Sequence, residues 1–167
     1  MPNKIIYTNE QMKGDLQEVI RQMTSENFRP DKVVGIARGG LVPATMLSHY
    51  LGLPLQVINY SLRDNMISHI SEVNDIANRL FRGEKILLVD DICDSGETLR
   101  KVFDEISDLI DQMDEFPSGD WKDRFRVGVL WHNISQDVFE PNYMGREISR
   151  AEDSRWVVFP YEEWWKA

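Results

Sequence analysis

Ile86-Leu87-Leu88-Val89-Asp90-Asp91-Ile92-Cys93-Asp94-Ser95-Gly96-Glu97-Thr98-Leu99 runs from four apolar residues into two aspartates, then through a short polar loop into an amphipathic segment. This reads as a buried strand over 86–89, a tight turn, and a helix over 98–113. Leu99, Val102, Phe103, Ile106 and Ile110 form that helix's apolar face. At the junction, backbone N–H groups lack helical partners and carry the positive end of the helix dipole. Ser95 and Thr98 add hydroxyls, and Gly96 permits close approach of a ligand to the backbone. Such a loop can cradle a monophosphate. It is not a P-loop, because the glycine spacing and the Lys-Ser/Thr pair are missing. The plainer alternative is an ordinary helix cap made by Asp94 or Ser95.

Asp90 and Asp91 are neighbours, so on a strand they point to opposite faces. At a strand end both can reach a ligand's hydroxyls or a hydrated Mg²⁺. The alternative is a pair of solvated carboxylates.

Working outward, 32–37 reads as a second buried strand, rich in valine and isoleucine, that runs into Arg38-Gly39-Gly40. Pro43 suits the first turn of the helix that follows, and Gly52 and Pro54 stop it. Thr8 and Gln11 have capping-box spacing before a helix to about residue 26. Further strands are expected at 55–60, 127–131 and 156–159, a loop over 61–71 and a helix over 72–81. A short helix is expected to pack back over 161–167, and 111–122 reads as a surface loop around Pro117-Ser118-Gly119. Strands alternating with helical runs indicate an α/β fold with a mainly parallel sheet flanked by helices. In such sheets ligands sit beyond the carboxyl ends of the strands. That brings Arg38-Gly39-Gly40, the Asp90–Thr98 segment and the residues after Trp131 to one rim.

The 167 residues suffice for one domain with its own core, taken as 1–167. A formal charge of −9 argues against wide binding to nucleic-acid backbone, which needs clustered Lys and Arg. No window reaches the roughly 18 consecutive apolar residues of a membrane span. Met1-Pro2-Asn3-Lys4 is too polar to begin a signal peptide. The single cysteine excludes an internal disulfide framework and fits a reducing, cytoplasmic setting.

Arg38-Gly39-Gly40 supplies a charge and exposed amides, a second anion loop. Gly-Gly turns are common, so the triplet signifies little alone; with the first loop it suggests a ligand carrying two separated phosphoryl groups. A receiver-type acidic pocket would need another strand ending in aspartate, whereas 33–37 ends in Arg-Gly-Gly. His49, His69 and His132 lack metal-ligand spacing, and Cys93, with no histidine near in sequence, reads as a small apolar filler.

Together these residues resemble the type I phosphoribosyltransferases. Val89–Leu99 is similar to that family's Asp-Asp-x-x-Asp-Thr/Ser-Gly-x-Thr stretch. Val34-Gly35-Ile36-Ala37-Arg38-Gly39-Gly40-Leu41-Val42-Pro43 resembles the pyrophosphate loop of its xanthine, guanine and hypoxanthine branch, with Ala37 in place of the usual serine. Trp156-Val157-Val158-Phe159-Pro160-Tyr161-Glu162 is similar to that branch's closing Trp-Ile/Val-Val-Phe-Pro-Trp-Glu. The resemblance covers most of residues 30–162. It implies a single-domain fold with a small C-terminal base-binding hood, and a ligand, 5-phosphoribosyl 1-pyrophosphate (PRPP).

The resemblance further implies the 5-phosphate on Asp94, Ser95, Gly96, Glu97 and Thr98, and the pyrophosphate on Arg38 and Gly39, where the peptide is often cis. Asp90 and Asp91 would hold the ribose hydroxyls and Mg²⁺, and Arg63 would be the best cation of a mobile loop over 61–71. Trp156 would stack on the purine, the Val157 backbone would read its edge, and Asp94 would handle the proton at N7. Asn133 stands at or next to the position where that branch carries a lysine that donates to the purine's 6-oxo group; an amide can also donate there, and His132 beside it is a further donor. The implied activity is purine salvage, transfer of phosphoribose to xanthine, guanine or hypoxanthine by a homo-oligomer (dimer or tetramer) that binds neither nucleic acid nor membrane. The alternatives are a non-catalytic nucleotide sensor and a transferase for another base.

Overall fold

The computed structural model describes residues 3–60, 70–113 and 120–166. In chain order they form β1 (Lys4–Ile6), α1 (Asn9–Ser25), β2 (Lys32–Ala37), α2 (Leu41–Leu51), β3 (Leu55–Asn59), α3 (Ile70–Phe81), β4 (Ile86–Cys93), α4 (Glu97–Asp111), a 3-10 turn (Trp121–Arg124), β5 (Phe125–Asn133), β6 (Tyr143–Ile148) and β7 (Trp156–Val158). The main sheet has the order β3-β2-β4-β5-β6 and every pairing in it is parallel. β1 and β7 pair separately, also in parallel, and form the hood.

Alternation along β2 and β4 explains the layers. Val33, Leu87 and Val89 pack with Leu16, Val19, Ala44 and Leu47 from α1 and α2. Val34, Ile36, Ile86 and Leu88 face the other way, onto Val73 and Ile76 of α3 and Val102 and Ile106 of α4. Strands buried on both faces read as continuous apolar runs, which is why they are legible in sequence. The capping box at Thr8 and Gln11 forms, with reciprocal bonds of 3.2 and 2.9 Å.

The order in which strands are laid down reverses at the centre of the sheet. β2 passes through α2 to β3 on one side, and the chain then returns across β2 to β4 on the other. The carboxyl ends of β2 and β4 are therefore the switch point, where adjacent loops part and leave a crevice.

Several expectations are corrected. β4 does not stop at Val89: it continues through both aspartates, pairing Asp90 with Val129, Ile92 with Trp131 and Cys93 with His132. The ladder extends because β5 is longer than the 127–131 apolar run and offers backbone partners along that length. Residues 161–166 turn rather than forming a helix. β1 and β6 carry no strand signal in sequence. β6 contains Gly145, Arg146 and Glu147, and its place is set by a buried ion pair instead. Asp15 of α1 accepts a fork from Arg146, at 2.6 and 2.9 Å, together with the Tyr7 hydroxyl. The Arg146 guanidinium also lies 5.1 Å from both the Tyr7 and Trp131 ring centroids. This cluster ties α1 and the residue after β1 to the sheet's edge strand. Residues 61–69, with Arg63, and the 114–119 part of the surface loop lie outside the described residues. Among the described residues no helix is long and apolar enough to cross a membrane.

Candidate active site

The two loops identified in sequence meet at the switch point. A Cβ on Gly39 would overlap the Asp91 carboxylate, and one on Gly40 would overlap the Val89 carbonyl. Both glycines are thus demanded by the close approach of the β2 loop to β4. The Ala37–Arg38 peptide is cis, and the arginine is exposed.

Asp90 and Asp91 are not solvated. Asp90 is buried, and its Oδ1 accepts from the Asp91 amide at 2.9 Å; Asp91 Oδ1 accepts from the Ile92 amide at 2.8 Å. Burial first, and then the charge of Asp91, raise the Asp90 carboxyl well above the ordinary carboxylate range. Burial likewise raises Asp91, against the lowering effect of the bond from Tyr161. Two carboxyls are held out of water side by side at the mouth of the crevice.

The next loop is not closed by a side-chain cap. The cap residue of α4 is Gly96, at φ +79°, and it makes no side-chain hydrogen bond. Ser95 Oγ accepts from the Glu97 amide only at 3.3 Å, and Ser95 and Glu97 are exposed. Asp94 turns away from the helix: its carboxylate accepts from Arg150 Nε at 2.8 Å, while the side chain stays 45% exposed. The first turn of α4 is thus without a side-chain cap, with Ser95 and Glu97 exposed and Thr98 half-buried, whereas Gly96 is buried and its close approach is to Gln136 and Phe139 of the protein itself.

Asn133 ends β5 only 6% exposed, and its amide is committed within the protein. Nδ2 donates to the Asp94 carbonyl at 2.9 Å. Oδ1 accepts from the Ser135 amide at 3.1 Å, the Ser135 hydroxyl at 2.6 Å and the Arg150 amide at 3.0 Å. In this arrangement Asn133 is a brace beneath Asp94 and Arg150. His132, beside it, is buried with its Nδ1 unpartnered. Its Nε2 lies 3.1 Å from Gln136 Nε2, whose amide orientation is set by bonds to Phe139 and Val138, and burial lowers its pKa. Cys93 is buried, and desolvation, with the charges of Asp90 and Asp94, pushes its thiol up to about 12, an inert group at neutral pH.

The hood presents Trp156 to solvent, 58% exposed, while Val157, Val158 and Phe159 are buried beneath it. Two residues, Tyr161 and Arg150, attach it to the rim. Tyr161 stacks on Phe159, centroids 5.6 Å apart, and its hydroxyl reaches Gly39 O at 2.9 Å and Asp91 Oδ2 at 3.0 Å. Arg150 spans from Asp94 to the carbonyl of Arg155, the residue before Trp156. Tyr161 stood within the closing motif and was legible as part of it; nothing in the sequence around Arg150 singles it out. Tyr161→Phe removes the donor shared by two acceptors and should lower unfolding free energy by about 1–2 kcal/mol. Urea unfolding at constant m reads this directly, and an unchanged midpoint would show that the hydroxyl contributes nothing.

The comparisons agree with this geometry. A family model described as phosphoribosyl transferase domain matches residues 2–109. The hypoxanthine-guanine phosphoribosyltransferase of Schizosaccharomyces pombe is 24% identical over 166 residues, 82% of this chain and 79% of that protein. The xanthine-guanine phosphoribosyltransferase of Vibrio vulnificus is 33% identical over 106 residues, 61% of this chain and 65% of that protein. Among solved structures, a purine phosphoribosyltransferase from Pyrococcus horikoshii superposes with a TM-score of 0.62 at 25% identity, covering 96% of this chain and 95% of that one. With its glycine-seated acidic pair, its uncapped α4 and a domain model matched across β1 to α4, this chain belongs to the phosphoribosyl transferase family.

Proposed function

We propose that the chain transfers the 5-phosphoribosyl group of PRPP to a 6-oxopurine, releasing pyrophosphate and the nucleoside monophosphate. The observation that carries this reading is the seating of the Asp91 carboxylate on Gly39. It joins the β2 loop, the acidic pair and the α4 amides into one mouth, with the exposed Trp156 on a hood bonded to the same rim through Tyr161. The names of the relatives above support a 6-oxopurine as acceptor.

In this reading the 5-phosphate takes the amides and hydroxyls of Asp94–Thr98, and Arg38 and Gly39 receive the pyrophosphate. Asp90 and Asp91 hold the ribose hydroxyls. They also fit Mg²⁺: they offer only hard carboxylate oxygens, and burial disfavours their charges until a cation arrives. Among the described residues no third acidic or histidine group completes a cage, so a bound Mg²⁺ would draw its remaining oxygens from water and ligand, the usual pattern for this ion. Bound Mg²⁺ supplies charge neutralisation to the departing pyrophosphate.

Displacement at ribose C1 passes through an oxocarbenium-like state. The chain contributes orientation, donors aimed at the leaving oxygens and exclusion of water. Trp156 stacks on the base, the Val157 backbone reads its edge, and Asp94 takes up the proton at N7 while the other imidazole nitrogen attacks ribose C1. Arg63 is a further proposed cation for PRPP. A cytoplasmic setting and an assembly of two or four copies belong to the same proposal, the latter read by sedimentation.

The test is pyrophosphate release from PRPP and Mg²⁺ with single bases. Base-dependent release with guanine, hypoxanthine or xanthine is expected. Calorimetric binding of PRPP with no release for any base would instead favour a nucleotide-binding regulator.

A further inference from the structure

A flat ring stacked on Trp156 with an edge toward Asp94 needs a polar group to fix that edge, and the Asn133 amide is already engaged. Arg150 is the cation that reaches this place. Its main chain is pinned after β6 by the bond from its amide to Asn133 Oδ1, and by the neighbouring bond from the Ala151 amide to Ser135 Oγ at 3.3 Å. Its side chain is 19% exposed, unusually low for an arginine in a turn. The guanidinium lies between the two functional halves: Nε donates to the Asp94 carboxylate at 2.8 Å, and Nη1 donates to the carbonyl that precedes Trp156. Among the described residues Nη2 has no protein partner. The guanidinium is therefore held in place on two sides, by the Asp94 carboxylate and by the carbonyl before Trp156, with the Nη2 donors unspent.

We infer that Arg150 is a specificity-determining residue that donates through Nη2 to a carbonyl oxygen of the acceptor base, beside the ring nitrogen served by Asp94, with Asn133 as its positioning residue. This deepens the phosphoribosyl-transfer reading and rests on it. The chemistry selects one class of base. A guanidinium only donates, so it satisfies an oxo oxygen, whereas an exocyclic amino group would set N–H against N–H in a partly desolvated place. A site built around such a donor discriminates strongly, because the mismatched base leaves a polar group unpaired. The same residue holds Asp94, so the base edge and the proton acceptor are aligned together.

The experiment compares wild type, Arg150→Gln and Arg150→Lys with PRPP and Mg²⁺, measuring kcat and KM for each substrate. For Arg150→Gln, the KM for the oxo base should rise about 10–100-fold and the preference for hypoxanthine over adenine should fall by at least about 10-fold. The KM for PRPP should stay within about 3-fold, a split that general loosening of the fold would not produce. Arg150→Lys keeps the charge but not the fork, and should recover part of the base affinity; it also serves if the glutamine variant does not fold. If base KM and base preference are unchanged in both variants, or if PRPP and base KM rise together, the inference is wrong while the transferase reading stands. If wild type turns over no base, the transferase reading falls and the inference falls with it.

Discussion

Asp94→Asn should lower kcat by about 10²–10³-fold while the Kd for PRPP changes less than about 3-fold, the signature of a lost proton acceptor. The asparagine is nearly isosteric and can still accept from Arg150 Nε, so the 2.8 Å contact and the loop around it are kept. In the proposed site the 5-phosphate is taken by amides and hydroxyls that the substitution does not touch. What disappears is a carboxylate that can take a proton, already oriented by the guanidinium and by the Asn133 bond to the Asp94 carbonyl. Parallel isothermal titration and steady-state turnover separate the two quantities. Equal losses in both would mean that Asp94 serves binding rather than proton transfer.

Asp90→Asn is the second large effect, and it should act in opposite directions on activity and stability. Turnover should fall by at least about 10³-fold, because a neutral amide cannot replace a carboxylate at the ribose and the cation. Measured without Mg²⁺ and without ligand, the variant should be the more stable protein. The Asp90 carboxyl is raised in the fold, by burial and then by the Asp91 charge, above its value in the unfolded chain. For such a carboxyl the folded state binds the proton more tightly. Below the unfolded pKa, about 4, it costs nothing; as pH rises through the folded pKa, stability is progressively lost. Asparagine removes this loss and keeps the acceptor for the Asp91 amide. A higher Tm than wild type is expected at neutral pH, the difference shrinking toward zero near pH 4. Thermal scans from pH 4 to pH 8 check it. A variant less stable than wild type across that range would contradict the electrostatic description of the acidic pair.

The sheet's centre was readable in sequence because β2 and β4 are buried on both faces and their apolar residues are contiguous. β6 was not, since its position follows from Arg146 meeting Asp15 131 residues away, a pairing that no local pattern announces. The end of β4 is hidden for a related reason: two aspartates look like a strand terminus, yet a longer β5 carries the ladder past them. The chemistry of the rim was legible where it resides in short motifs, at Arg38-Gly39-Gly40 and Asp90–Thr98. It was hidden where it resides in long-range bonds. Asn133 stood at a conspicuous position, but its partners Asp94 and Arg150 lie 39 and 17 residues off. Those partners turn a candidate base reader into a brace.

The central claim is that this mouth joins PRPP to an oxo-substituted purine. It is tested most directly by one competition reaction: equimolar guanine, hypoxanthine, xanthine, adenine and uracil with PRPP and Mg²⁺, followed by identification of the nucleotides formed. The expected products are 6-oxopurine monophosphates, with the adenine and uracil nucleotides lower by about 100-fold or more. A mixture dominated by the adenine or uracil nucleotide, or one containing no nucleotide at all, would contradict it.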